Sequence, residues 1–304
     1  MARKLRIQYE GALYHVINRG NYRRDLFETT GAAEAFLSAL DTAILRYGWK
    51  LHAYVLMRNH FHLALETPRP NLVEGMHWLQ TTLASRFNRF RQERGHLFQG
   101  RYQAILLEDF STLARVVDYL HLNPVRAKVV MPAQVGAYRW SSLGRFIKGP
   151  RPAGLTGTDW LAAGGWNDDP QGWKNYEQYL IELGLNEAEC KRRGLEGLSK
   201  GWALGTNAWR KTLAEDHAQA RLNPGLEKQE MRELNEAAWR TMLQNELAKQ
   251  GKNQEALQTK PLSRPWKLEL ARKLRGEGAS IGWVAQNLIL GKPATLRSYL
   301  ARNS

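Results

Sequence analysis

The chain has 304 residues, one cysteine and 43% apolar residues, enough for a core in one large domain or two ordinary ones, and too few cysteines for a disulfide framework or a Cys-based zinc cluster. Its formal net charge of +15 implies a polyanionic partner, with nucleic acid first among the candidates and solvated arginine faces as the plainer alternative. No apolar run reaches the roughly eighteen residues of a membrane span, and the first twenty residues lack an apolar signal segment, so the expectation is a cytoplasmic protein that stays out of membranes.

The first strand is expected over residues 12–19, where "ALYHVINR" is β-branched and aromatic and runs into Gly20. "TTGAAEAFLSALDTAILRYG" then spaces Phe36, Leu37, Leu40, Ile44 and Leu45 as a helix that stops at Gly48. "WKLHAYVLM" and "HFHLALET" read as two strands joined by a tight turn at Arg58 and Asn59. A long amphipathic helix follows in "NLVEGMHWLQTTLASRFNRFRQERG", then a strand in "QAILLED" and a helix in "STLARVVDYLHLN". Ser111 is the expected N-cap of that last helix, and Pro124 its expected stop. The order β-α-β-β-α-β-α predicts an α+β fold, a ferredoxin-like antiparallel sheet with packed helices, followed by an all-α C-terminal region.

A Gly- and Pro-rich connection, "KGPRPAGLTGTDWLAAGGWNDDPQGW", sets an expected boundary near residue 150. This divides the chain into a first domain over 1–150, a helical extension over 151–260 and a small helical domain over 261–304. In the last, turns at Gly276 to Gly278 and Gly291 to Pro293 give the layout of a helix-turn-helix. Thr295, Arg297 and Ser298 would open its recognition helix; a plain three-helix cap is the alternative.

Charge is concentrated in the first half, where residues 1–150 carry 21 Lys and Arg against 11 Asp and Glu. The arginines sit among aromatics and glycines, as in "NRGNYRRDLF" and "ASRFNRFRQERGHLFQGRYQ", a mixture suited to phosphate contacts and base stacking on single strands. The expected nucleic-acid contacts are Arg19, Arg23, Arg24, Arg86, Arg89, Arg101, Arg115 and Arg126, with Arg297 in the tail.

"NHFHL" places His60 and His62 on one face of a strand and Phe61 and Leu63 on the other. Two imidazoles about 7 Å apart along a strand can converge on one ion, or they can be ordinary polar-face residues. On the helix "DYLHLNPVRA", Tyr119 and Asn123 share a face one turn apart. A phenol can serve as a nucleophile and an amide oxygen can ligate a metal, yet a packed tyrosine and a helix-ending asparagine would look the same.

The ordered set "YHVINRGN", "NHFHL", "GHLFQGRYQA" and "YLHLNPVRA" resembles the single-tyrosine HUH transposases of the IS200/IS605 type, and most nearly the REP-associated tyrosine transposases, over residues 5–145. The resemblance implies His60 and His62 as metal ligands, Tyr119 as nucleophile, and Asn123 as third ligand where other members carry Gln. It implies a Mg²⁺ or Mn²⁺ cofactor, whereas the ligand types alone would also suit Zn²⁺. It further implies a single-stranded hairpin DNA substrate and a covalent 5′-phosphotyrosine intermediate, in a monomer or homodimer. A domesticated, non-catalytic hairpin-binding regulator and a nuclease using metal-activated water are the competing readings. No HExxH, G-x-S-x-G or P-loop motif supports another enzyme class.

Overall fold

The structure is a computed structural model that describes residues 7–216, 232–258 and 265–302. Two compact units emerge, one spanning Gln8–Thr206 and the other running from Asn207 onward. The boundary expected near residue 150 therefore falls inside the first unit. The reason is physical: the segment beyond 150 supplies packing and strand-edge partners to what precedes it.

In the first unit, strands β1 (Ala12–Arg19), β2 (Lys50–Met57), β3 (His60–Thr67) and β4 (Gln103–Leu107) form one sheet with helices α1 (Thr30–Tyr47) and α2 (Leu72–Arg91) as crossovers. The strand order is β2-β3-β1-β4, and each of these neighbours is antiparallel. Thus β3 lies between the parallel pair β1 and β2, and β1 lies between the parallel pair β3 and β4. This is the expected split βαβ arrangement. It departs from expectation in one strand: β5 (Ala203–Leu204) joins the β4 edge in parallel, so the sheet is mixed. The opposite edge is also covered, as Leu51 bridges Leu155 and Val55 bridges Ser141.

Local chemistry fixes the helix ends. Thr29 caps α1 by accepting from the Ala32 amide, and Gly48 closes it in the left-handed region at φ 66°. Helix α3 (Phe110–Arg126) is capped by Asp109, whose carboxylate accepts from the Thr112 amide at 2.7 Å, not by Ser111. Nor does the helix stop before Pro124. Proline there removes only the amide that would meet the Leu120 carbonyl, within the final turn, and the Ala127 amide still bonds the Asn123 carbonyl.

The two sheet faces bury different chemistry. Phe61 points toward α1, its ring 4.7 Å from that of Phe36, whereas His62 points toward α3. From Val116 to Val125 every residue of α3 is buried, since α5 (Thr158–Ala163) and α6 (Pro170–Leu185) cover the side that a two-layer fold would leave in water.

In the second unit, α10 (Pro265–Gly276), α11 (Ile281–Asn287) and α12 (Pro293–Arg302) surround a core that includes Leu270, Leu274, Val284, Leu288 and Leu296. The expected turns fall between these three helices.

Gly75 of α2 lies against the buried indole of Trp49, and a Cβ added there would sit 2.1 Å from Trp49 Cζ2. Gly75→Ala is expected to destabilise by about 1–3 kcal/mol through overpacking, more than the roughly 1 kcal/mol gained in helix propensity. Gly31→Ala, where a Cβ meets open space, should not destabilise. Urea denaturation midpoints of the two variants check this.

Candidate active site

Strand register builds the site. In the β1–β3 ladder Ile17 lies opposite His62 and Arg19 opposite His60, so these four share one face at one end of the sheet. His15, two residues before Ile17, joins the same face, fully buried. Helix α3 crosses this face and sets Tyr119 edge-on to both rings, its centroid 5.6 Å from His62 and 5.8 Å from His15. The Arg126 guanidinium lies over the Tyr119 ring, 5.1 Å from its centroid. Among the described residues the Tyr119 hydroxyl has no hydrogen-bond partner.

The imidazole protons can be followed atom by atom. The Leu198 carbonyl accepts from His15 Nδ1 at 2.8 Å. His15 Nε2 is then the acceptor for the proton on His62 Nδ1, at 2.9 Å, which leaves His62 Nε2 with its lone pair free. Asn59 donates through Nδ2 to the Arg23 carbonyl, so its Oδ1 accepts from His60 Nδ1 at 2.8 Å. His60 Nε2 is likewise left as a bare acceptor.

Burial keeps these rings neutral. It lowers His60 and His15 each to about 4 and His62 well below its ordinary value. Burial is the main cause in all three; the Arg19 charge adds to it at His60 and His62, and the neighbouring histidines add to it at His62.

Two neutral imidazole nitrogens without hydrogen-bond partners among the described residues are a fitting start for a divalent cation. Among the described residues no three His, Cys, Asp or Glu side chains converge as a metal set, so a further protein ligand would have to come from another donor type. Asn123 offers one: it is buried, one turn beyond Tyr119 on the same helix face, and its side-chain amide has no hydrogen-bond partner among the described residues.

The arginines divide into separate groups. Arg19 and Arg23 are exposed at the His60 end of the sheet, and Arg86, Arg89 and Arg101 are exposed elsewhere on this unit. Arg24 is already engaged, paired with Glu93 at 2.5 Å and stacked over Phe87. Arg115 donates to the Arg193 carbonyl at 2.9 Å, which ties α3 to the later chain. Arg297 and Thr295 are exposed on α12 of the second unit; the Ser298 side chain lies outside the described residues.

A buried polar network holds α3 from behind. Asp118, next to the tyrosine, accepts from Tyr176 at 2.9 Å and from Tyr179 at 2.7 Å. His121 links Tyr176 to Ser142, and Ser142 accepts from the Tyr54 amide on β2. Burial raises Asp118 to about 6 against the pull of the two tyrosines, and lowers His121 to about 3.

Comparison with known proteins meets this geometry. The family model described as "Transposase IS200 like" matches residues 8–123. That region is IS200-like in sequence. It contains β1 through Asn123 and therefore His15, both strand histidines, Tyr119 and Asn123. No curated protein matches the chain. Among solved structures, a REP-associated tyrosine transposase bound to a REP hairpin is similar at 18% identity and TM-score 0.41, over 48% of this chain and 85% of that one. A putative transposase from Deinococcus radiodurans R1 is similar at 19% identity and TM-score 0.29, over 42% and 92%. The tRNA(His) guanylyltransferase of Saccharomyces cerevisiae gives 11% identity and TM-score 0.32, over 62% and 84%.

Sequence reasoning left two parts of this site without a role. The motifs assign His15 no role, although its strand brings it near the site, because its bond to His62 needs the register. The Leu198 carbonyl carries no sequence signal at all, and it lies outside the IS200-like region.

The buried histidines set an acid limit on stability. In the unfolded chain a histidine titrates near 6.5, so below that pH the unfolded state binds protons that folded His15 and His121 refuse until about 4 and about 3. Their contribution is present above about pH 6.5 and is lost as the pH falls toward 4. Asp118, raised to about 6, opposes this by taking up its proton in the folded state first. Thermal melts between pH 7 and 4.5 should show Tm falling, with a shallower slope in His121→Gln.

Proposed function

We propose that the chain is a metal-dependent single-stranded DNA endonuclease and strand transferase that works through a covalent tyrosine intermediate. The observation that carries this reading is the approach of Tyr119 to His62, with ring centroids 5.6 Å apart, inside an IS200-like region. The order of the four motifs, the surplus of arginine and a Tyr119 hydroxyl with no hydrogen-bond partner among the described residues support it.

In this reading His60 and His62 hold a Mg²⁺ or Mn²⁺ ion through Nε2, with Asn123 as the third ligand. When bound, such an ion supplies Lewis-acid neutralisation of charge on the scissile phosphate. The chain's own residues do the rest. Tyr119 attacks the phosphorus; the new Tyr–O–P bond replaces the P–O3′ bond, and the departing 3′ oxygen takes up a proton as the phenol gives one up. One phosphodiester replaces another, so no nucleotide cofactor is needed. The reverse attack by a 3′-OH rejoins strands. The Arg126 guanidinium over the Tyr119 ring sets a fixed cation beside the phosphate to be attacked. His15 is a positioning residue, because it holds the His62 proton on Nδ1 and thereby keeps Nε2 open.

The substrate is single-stranded DNA with a hairpin, contacted by Arg19, Arg23, Arg86, Arg89 and Arg101. Residues 1–150 supply the chemistry, residues 151–206 support them within the same compact unit, and the helix-turn-helix layout of α10 to α12 adds a second DNA contact through Arg297. Tyr119 and the histidines meet within one chain, which favours a monomer acting in cis, located in the cytoplasm. No described helix is long and apolar enough to cross a membrane.

End-labelled hairpin strands from the flanks of its own gene, mixed with the protein and Mg²⁺ or Mn²⁺, should give a protease-sensitive covalent band on a denaturing gel. The band should vanish in Tyr119→Phe and fall at least about a hundredfold in His62→Ala. Cleavage that persists in Tyr119→Phe without a covalent band would replace this reading by metal-activated water. Hairpin binding with no cleavage in either metal would leave a regulator.

His15→Leu should weaken Mn²⁺ binding about tenfold or more, read by electron paramagnetic resonance of free Mn²⁺. His15→Gln can still donate to Leu198 and accept from His62, and should recover most of the affinity.

A further inference from the structure

Tyr22 is the most exposed large apolar side chain of the described residues, at 91%. Among those residues its ring packs on no aromatic ring or cation, and its hydroxyl has no hydrogen-bond partner. It therefore contributes no packing to the fold.

Its backbone is costly as well. Tyr22 and Arg23 both adopt positive φ, at 50° and 58°, a region that bulky L-residues avoid and glycine or asparagine enters readily. Two such residues in succession persist only where the surroundings impose them. Here they do. The Gly20 amide bonds the Asn59 carbonyl at 2.8 Å, and the Asn21 amide bonds the Leu97 carbonyl at 2.9 Å. Asn59 donates to the Arg23 carbonyl, while the Leu26 and Phe27 amides both bond the Arg58 carbonyl.

These ties also place the ring. Arg58 and Asn59 form the turn that leads directly into His60, and Arg19, one residue before the loop, is paired with His60 across the ladder. The loop is thus fastened to the His60 end of the site, with the charges of Arg19 and Arg23 beside it. An exposed aromatic ring on a tied-down backbone, with no packing partner among the described residues and with Arg23 in the same loop and Arg19 just before it, suits a nucleobase carried on a phosphate backbone.

We propose that Tyr22 is a stacking platform for one unpaired DNA base flanking the phosphodiester held at His60 and His62. This rests on the endonuclease reading above and adds a recognition residue to it. The ring fixes the position of the strand, and so which phosphate reaches Tyr119, without reading base identity through hydrogen bonds.

Two replacements separate stacking from structure. Tyr22→Gly and Tyr22→Asn suit positive φ and lack the ring, so neither should lower the melting temperature, and Tyr22→Gly could raise it by up to about 2 °C. Both should weaken binding of a hairpin strand with an unpaired flank at least about fivefold, the lower end of a base–aromatic stack. With 2-aminopurine in that flank, wild type and Tyr22→Phe should quench its fluorescence, and the two ringless variants should not. Unchanged affinity and quenching in Tyr22→Gly, with wild type still forming the covalent band, would overturn the stacking role and leave the endonuclease standing. A lowered melting temperature in both ringless variants would make Tyr22 structural and equally overturn it. A wild-type protein that neither binds nor links to such strands would remove the endonuclease reading, and this inference with it.

Discussion

The antiparallel ladder between β1 and β3 is the constraint from which the site follows. Its register sets Ile17 against His62 and Arg19 against His60, so His15 meets His62 on the face that α3 covers. Side chains alternate along a strand, and a shift of one residue would send His60 and His62 into the apolar layer beneath α1 and carry Phe61 toward Tyr119. The hydrophobic pattern of "HFHLALE" resists that slip, because Phe61, Leu63 and Leu65 all have to be buried against the helices.

The second requirement is that α3 be held from both sides. A helix bearing Asp118, Tyr119, His121 and Asn123 in four of six successive positions would be a poor core helix alone, since each polar group loses water on burial. The chain answers with paired partners. Tyr176 and Tyr179 from α6 satisfy Asp118, and Ser142 and Tyr176 satisfy His121. Of the four on α3, Tyr119 and Asn123 have no side-chain hydrogen-bond partner among the described residues, and they are the two to which the proposed chemistry gives a role. Satisfying the structural polar groups while leaving the reactive ones free is what distinguishes a site from a core.

Much of this was legible in the sequence because it rests on local periodicity. The alternation in "HFHLALE" and the helical spacing in "AEAFLSALDTAIL" gave the elements and their order, and the i, i+4 relation of Tyr119 and Asn123 gave one face of the site. The ends were harder. Asp109 outcompetes Ser111 as cap because its carboxylate lies three residues before the Thr112 amide, and Pro124 is tolerated because only one terminal carbonyl is affected. What could not be read were contacts between distant segments. The His15 bond to Leu198 spans 183 positions, Arg24 is occupied by Glu93, and Arg115 by a backbone carbonyl of residue 193. Gly- and Pro-rich composition near 150 suggested a linker, yet those residues include the bends that bring Leu155 back onto β2.

That returning chain has a consequence for how the protein is handled in a cell. A four-stranded sheet has two outer strands with unsatisfied backbone groups, and such edges invite pairing with other copies. Here the Leu51 amide bonds the Gly154 carbonyl, the Thr156 amide bonds the Leu51 carbonyl, and on the far side the Leu106 and Glu108 amides bond the Trp202 and Leu204 carbonyls. Both margins are thereby sealed by segments made later in synthesis. A nascent chain that has emerged only through β4 carries its histidines and most of its sheet, yet has two open margins until the next hundred or so residues arrive. The interval of translation between those points is the window in which self-association competes with folding.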